Sequence, residues 1–261
     1  MNGYKEYLEL AVSLSRGAGL IQKEHLGRLK RIELKGVANL VTDVDLECER
    51  YVMEGIARAF PDHNILSEES GRSDGSSSAC TWIIDPLDGT TNYAHGYLRF
   101  CVSVALAVEG VVQVGVVYDP MMDELYHSVR GEGAFLNGES LRVSDVSDLE
   151  DALLATGFAY DKGKRLARDL DIYREILPRA QSVRRDGSAA LDLCYVAAGR
   201  FDGFWELNLN SWDIAAGSLI IEEAGGRWSD IRGKAVPLSH PEFLGTNGRI
   251  HDTIVDLIKH L

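Results

Sequence analysis

Trp82-Ile83-Ile84-Asp85-Pro86-Leu87-Asp88-Gly89-Thr90-Thr91-Asn92 places two carboxylates and a Gly-Thr-Thr turn directly behind an apolar run. The run reads as a buried strand, and the segment behind it as the start of a site. An Asp-x-x-Asp-Gly loop alone is an ordinary turn, because Asp and Gly form turns and Pro86 pre-sets φ. The longer stretch offers more. Asp85, Asp88 and the Leu87 carbonyl can converge on one point, while Gly89 and Thr90 supply N–H and hydroxyl donors. Such a loop presents oxygens to a hard cation and donors to an anion at once.

Further acids stand at other element ends. Glu68-Glu69 follow the short apolar run Asn64-Ile65-Leu66-Ser67, and Asp213 follows Trp212. Alone, Asp213 reads as a helix N-cap before Ile214-Ala215-Ala216, and Glu68-Glu69 as a solvated pair. Together with Asp85 and Asp88 they form an all-oxygen ligand set suited to Mg²⁺, Mn²⁺ or Ca²⁺ rather than zinc. A phosphate monoester brings a charge of roughly −2 to these acids, so about two to three divalent cations are needed for local neutrality. The chemistry expected is metal-assisted hydrolysis of a phosphate ester. Candidates to activate the water are Glu68, Thr90 and Asp45. Thr42-x-x-Asp45 also resembles a capping box, with Asp in place of the usual Glu.

Composition sets the outer limits. The 261 residues, 45% apolar and 26% charged, suffice for a sizeable core, and the net charge of −13 argues against a nucleic-acid or anionic-membrane surface. Cys48, Cys80, Cys101 and Cys194 are widely spaced and read as reduced thiols of a cytoplasmic protein. The N-terminal pattern is amphipathic, unlike a signal peptide, and no apolar run approaches the roughly 20 residues of a membrane span. The histidines show no His-x-x-x-His spacing, and no Walker loop occurs.

Along the chain, apolar spacing predicts a helix from Tyr4 to Ile21, a strand over 29–35, a turn at Gly36–Asn39 and a helix from Thr42 to Pro61. Residues 70–79 read as a mobile surface loop. An antiparallel meander follows over 102–108, 111–118 and 124–129, with a hairpin at Asn137-Gly138. After about residue 150 strands and helices alternate: strand 152–156, helix 164–177, strand 182–185, helix 188–198, strand 201–206, helix 213–224, a strand near Phe243 and a last helix over 250–260. This is a layered α/β or α+β architecture. Two lobes, about 1–148 and 149–261, are expected within one domain.

Trp82 to Asn92, and Trp212-Asp213-Ile214-Ala215-Ala216-Gly217 through Glu223-Ala224-Gly225-Gly226, resemble the two defining motifs of the inositol monophosphatase family. The likeness covers nearly the whole chain. It implies a five-layer α-β-α-β-α sandwich, homodimerisation, inhibition by Li⁺, and Mg²⁺ as cofactor with Mn²⁺ as a substitute. By the resemblance, Glu68, Asp85, the Leu87 carbonyl, Asp88 and Asp213 would hold up to three Mg²⁺ ions. Gly89 and Thr90 would receive the phosphate, and Thr90 with Asp45 would activate the water, assisted by Glu68. Gly187, Ser188, Ala189 and Glu206 match positions that touch inositol hydroxyls, and Arg184 matches a basic position of bacterial members. Lys35 lies near the family's loop lysine. The implied activity is hydrolysis of myo-inositol 1-phosphate. Histidinol phosphate, fructose 1,6-bisphosphate and a 3′-phosphoadenosine nucleotide are alternative substrates, and a regulatory protein-binding role is the non-catalytic alternative.

Overall fold

The computed structural model describes residues 3–28, 32–35, 39–73, 78–158 and 164–261. The chain runs through α1 (Lys5–His25), β1 (Ile32–Lys35), β2 (Asn39–Thr42), α2 (Asp43–Ala59), β3 (Asn64–Ser67), β4 (Gly71–Ser73), β5 (Cys80–Asp88), α3 (Thr90–Ala94), β6 (Cys101–Val108), β7 (Val111–Asp119) and β8 (Glu124–Val129). It continues with β9 (Ala134–Leu136), β10 (Glu139–Ser140), β11 (Leu153–Thr156), α4 (Lys164–Ile176), β12 (Ser182–Arg184), α5 (Ala189–Ala197), β13 (Gly203–Leu207), α6 (Ser211–Glu223), β14 (Arg227–Ser229), β15 (Glu242–Thr246) and α7 (His251–Ile258).

Side chains alternate across a strand, so one strand buried on both faces must serve two cores. In β6, Val102, Val104 and Leu106 pack against Ala11 and Leu14 of α1 and Val44, Cys48 and Val52 of α2. The intervening Cys101, Ala105 and Ala107 pack on the other side with Leu193 of α5 and Ile220 of α6. The second sheet divides in the same way. Phe204 and Phe243 join the α5 and α6 core, whereas Leu154, Trp205 and Leu244 join Ile172 of α4 and Ile254 of α7.

The result is a five-layer α-β-α-β-α sandwich: α1 and α2, an eight-stranded sheet, α5 and α6, a five-stranded sheet, then α4 and α7. The larger sheet has the order β10-β9-β8-β7-β6-β5-β3-β4, and the smaller β12-β11-β13-β15-β14. Most neighbours in the larger sheet are antiparallel, but β3 lies parallel to β5. In the smaller sheet β11 is parallel to both β12 and β13. The Asn137-Gly138 turn joins β9 to β10 as expected.

The expected helices and meander are present within a few residues of their anticipated ends. Several short elements were not anticipated, among them β2, α3 and β14, each too brief to show a period. Within the segment expected as a loop, Gly71–Ser73 forms β4 because Ile65 to Ser67 of β3 supply a pairing edge. The rest of that segment from 74 to 77, and residues 29–31 and 36–38 of the expected strand and turn, lie outside the described residues. All four cysteines are free thiols. Among the described residues no helix is long and apolar enough to cross a membrane.

Leu106 is fully buried on a central strand. Leu106→Ala is expected to lower unfolding stability by about 2–5 kcal/mol, read as a shifted urea midpoint with an unchanged slope.

Candidate active site

The parallel register of β3 and β5 sets Ser67 opposite Ile84. One residue further along, Glu68 therefore arrives beside Asp85, and its amide donates to the Ile84 carbonyl at 3.3 Å. Between Asp85 and Asp88 the pairing of β5 with β6 slips. Such a bulge re-aims side chains, and it accommodates Pro86, which has no N–H for the ladder. Leu87 turns into the core beneath α1 and α2, and its amide donates to Asp85 Oδ1 at 3.0 Å. Gly89 then takes φ +94°, and a Cβ there would stand 2.7 Å from the Arg99 carbonyl oxygen. Only glycine meets both conditions.

Thr90 opens α3, with Oγ1 2.8 Å from Asp45 Oδ1 and 3.1 Å from the Leu87 carbonyl. Asp45 reaches it from the first turn of α2. Its Oδ2 accepts from the Thr42 backbone N–H at 2.8 Å, completing a capping box. The cap and the Thr90 contact, alternatives in the sequence, are made by the two oxygens of one carboxylate. Asp213 repeats the device on α6: Oδ2 accepts from the Asn210 N–H at 2.6 Å. Asp88 caps across the chain. Its Oδ2 accepts from Ser188 Oγ at 2.6 Å and from the Ala190 N–H at 2.8 Å, both at the start of α5.

These groups surround a cavity of about 300 Å³, large enough for a small phosphate ester. Glu68, Asp85, Asp88, Asp213, Gly89 and Thr90 line it, and so do Gly187, Ala189 and Glu206. Burial pushes the Asp85 carboxyl well above its ordinary range, and the charges of Glu68, Asp88 and Asp213 push it further. Asp213 is raised to about 8 by burial and by Asp88 and Glu206, against the opposing hydrogen bond from Asn210. Burial likewise lifts Glu206 to about 8, opposed by Arg185 and reinforced by Asp88 and Asp169. Asp88 is raised by burial, although the bonds from Ser188 and Ala190 favour its charged form.

The donor set fits divalent cations. The geometric hydrogen bonds that Asp85, Asp88 and Asp213 accept from the described residues fall on one oxygen of each, Oδ1 of Asp85 and Oδ2 of Asp88 and Asp213. Mutual repulsion among oxygen ligands is what a hard cation relieves. A second cluster, Asp230, His240 and Glu242, is different in kind. There Asp230 Oδ1 accepts the Arg232 and Lys234 N–H groups, and Glu242 pairs with Arg168 and Arg232.

A model of the inositol monophosphatase family matches residues 4–260. The chain belongs to the inositol monophosphatase family. It is 43% identical over 249 residues to an inositol-1-monophosphatase of Synechocystis sp., covering 95% of this chain and 87% of that protein. It is 41% identical over 254 residues to a protein of Pasteurella multocida named Nus factor SuhB, covering 97% and 95%. Among solved structures, the extragenic suppressor protein SuhB of Bartonella henselae superposes with a TM-score of 0.94 at 38% identity, covering 97% of this chain and 98% of that one. An inositol monophosphatase of Anabaena (Nostoc) sp. gives 0.88 at 40% identity, covering 98% and 96%.

Two residues expected at the site lie outside the cavity lining. Arg184 is exposed on the edge strand β12, where it donates to Ser182 Oγ at 2.6 Å and does not line the cavity. Arg185, just past the end of β12, lines it instead. Ser188 is buried behind Asp88 and also leaves the lining, acting as the N-cap residue of α5. Lys35 belongs to β1, and its side chain lies outside the described residues. Arg165, Gly157 and Asp192 line the cavity and were not anticipated. Of these only Asp192 left a signal, as the lone acid in the apolar run Ala189–Ala197.

The raised acids fix the direction of a pH effect. A carboxyl whose folded value lies above its unfolded one binds protons preferentially in the folded state, so its burial is tolerated in acid and destabilising once it ionises. For Asp213 and Glu206 that window runs from the ordinary value of about 4 to about 8. The metal-free protein is therefore expected to lose thermal stability as pH rises from about 5 to about 8. Mg²⁺ should restore it most strongly at the alkaline end, as followed by melting in EDTA and in Mg²⁺.

Proposed function

We propose that this chain is a Mg²⁺-dependent phosphomonoesterase that hydrolyses myo-inositol 1-phosphate and related small polyol phosphates. The observation that carries the reading is the convergence of Glu68, Asp85, Asp88 and Asp213 on one cavity beside the Thr90–Asp45 hydrogen bond. Phosphatase activity accords with the family, and the polyol with the relatives named inositol monophosphatase.

In this reading, Glu68, Asp85, the Leu87 carbonyl, Asp88 and Asp213 hold the cations. When bound, these would neutralise acids and phosphate together and supply a water acidic enough to attack. The chain's own groups do the rest. Gly89 and Thr90 offer donors to the phosphate oxygens. Glu68 helps to orient the water, and Thr90 Oγ takes its proton while passing the hydroxyl proton to Asp45 at 2.8 Å. Burial raises the affinity of Asp45 for that proton, against the hydrogen bonds from Thr42 and Thr90. Water oxygen bonds to phosphorus, the ester P–O bond breaks, and the leaving oxygen takes a proton from solvent to become the alcohol, while Asp45 gives the proton it received back to solvent. Glu206, with Gly187 and Ala189, faces that alcohol.

Gly157 is part of this arrangement. A Cβ on it would come within 1.9 Å of Glu206 Oε2, so its bare backbone gives the carboxylate room. The reading extends to a single catalytic domain with lobes of about 1–148 and 149–261, a homodimer, inhibition by Li⁺, Mn²⁺ as a substitute and a cytoplasmic location. Relatives named Nus factor SuhB raise a second role through protein contacts. A cellular phenotype that survives Asp88→Asn belongs to that role.

Thr90→Ala should lower kcat for inositol 1-phosphate by roughly 10²–10⁴-fold, with less effect on KM. Phosphate release with Mg²⁺, across a panel that includes histidinol phosphate, fructose 1,6-bisphosphate and 3′-phosphoadenosine nucleotides, tests both step and substrate. A larger kcat/KM on another member of the panel would replace the inositol assignment.

A further inference from the structure

Helix α5 reads Ala-Ala-Leu-Asp-Leu-Cys-Tyr-Val-Ala, and Asp192 is its one charged residue. That residue is 2% exposed. Its Oδ1 is buried without a hydrogen-bond partner, yet the residue lines the cavity. No hydrogen bond at the helix start uses the carboxylate. Ser188 is the N-cap residue, the Ala190 N–H is taken by Asp88, and the Asp192 N–H bonds the Ser188 carbonyl at 3.0 Å. Asp45, Asp88 and Asp213 each lend an oxygen to a helix start, and Asp192 lends none. An unpaired buried carboxyl is unfavourable to the fold, and such groups persist where a ligand completes them.

Its surroundings narrow the ligand. Asp186, Glu206 and Asp88 act on Asp192 with like charge, and Arg185 opposes them. Glu206 comes from β13, on the same face as Phe204, whose side chain packs with the α5 layer. Asp192 and Glu206 thus approach the cavity from a helix and from a strand. Neutral hydroxyls suit two acceptor carboxylates tempered by a guanidinium, because each hydroxyl donates without bringing a charge for Arg185 to repel.

We propose that Asp192 is a specificity-determining residue that accepts a hydrogen bond from a hydroxyl of the leaving alcohol, alongside Glu206. The proposal rests on the phosphatase reading of the same cavity. It selects alcohols with several hydroxyls over phosphate esters whose leaving group has none.

The test compares kcat/KM for myo-inositol 1-phosphate with that for p-nitrophenyl phosphate, in Mg²⁺, for the unaltered protein, Asp192→Asn and Asp192→Leu. The ratio of the two should fall about tenfold in Asp192→Leu, chiefly through KM for the inositol ester. It should fall less in Asp192→Asn, whose amide keeps one acceptor. Melting midpoints should hold or rise in both variants, because the unpaired acid is gone. A ratio within twofold of the original overturns the proposal, as does an equal loss on both substrates with a lowered midpoint, the mark of a structural role. Should Asp192→Leu not fold, the isosteric Asp192→Asn decides by the same ratio. If the unaltered protein hydrolyses neither ester with Mg²⁺, it is the phosphatase reading that fails.

Discussion

Carboxylates gathered in one cavity repel one another, and in this protein the repulsion is held in check by backbone N–H groups. Asp45, Asp88 and Asp213 each give an oxygen to the start of a helix, respectively α2, α5 and α6. Orphan amides at a helix start need acceptors in any case, and the helix dipole favours negative charge there. The acids thus acquire fixed positions from bonds the helices require. Their second oxygens remain for the site.

The scaffold suits this arrangement because the layer of α5 and α6 is shared by both sheets. Asp85 rides on the larger sheet, Glu206 on the smaller, and Asp213 and Asp192 on the helices between them. Functional groups mounted on packed elements keep their spacing better than groups on loops. The bulge in β5 is the local exception, and it directs Leu87 into one core while leaving Asp85 and Asp88 at the cavity.

Much of this was legible in the sequence. The strand behind Asp85, the meander and the helices of the second half carry strong periodicity, and the acids stand at element ends where the chain turns. What the sequence could not supply was direction. Arg184 and Arg185 are chemically equal in a string of letters, and only the fold decides which faces the cavity. Ser188 stands next to the right residues but behind Asp88 rather than before the ligand. Asp45 looked like a choice between cap and site because one-dimensional reading assigns a residue one partner, whereas a carboxylate has two oxygens. Short elements such as β4 form because of an edge supplied from elsewhere, which no local pattern records.

Asp88 has a consequence beyond chemistry. One of its oxygens faces a cavity at the end of the larger sheet, while the other fastens the first turn of a helix more than a hundred residues later in the chain. Filling the cavity and tightening that fastening are thermodynamically coupled. Amide hydrogens in the opening turn of α5 should therefore exchange with solvent more slowly when the cavity is occupied, so the helix registers occupancy from inside the fold.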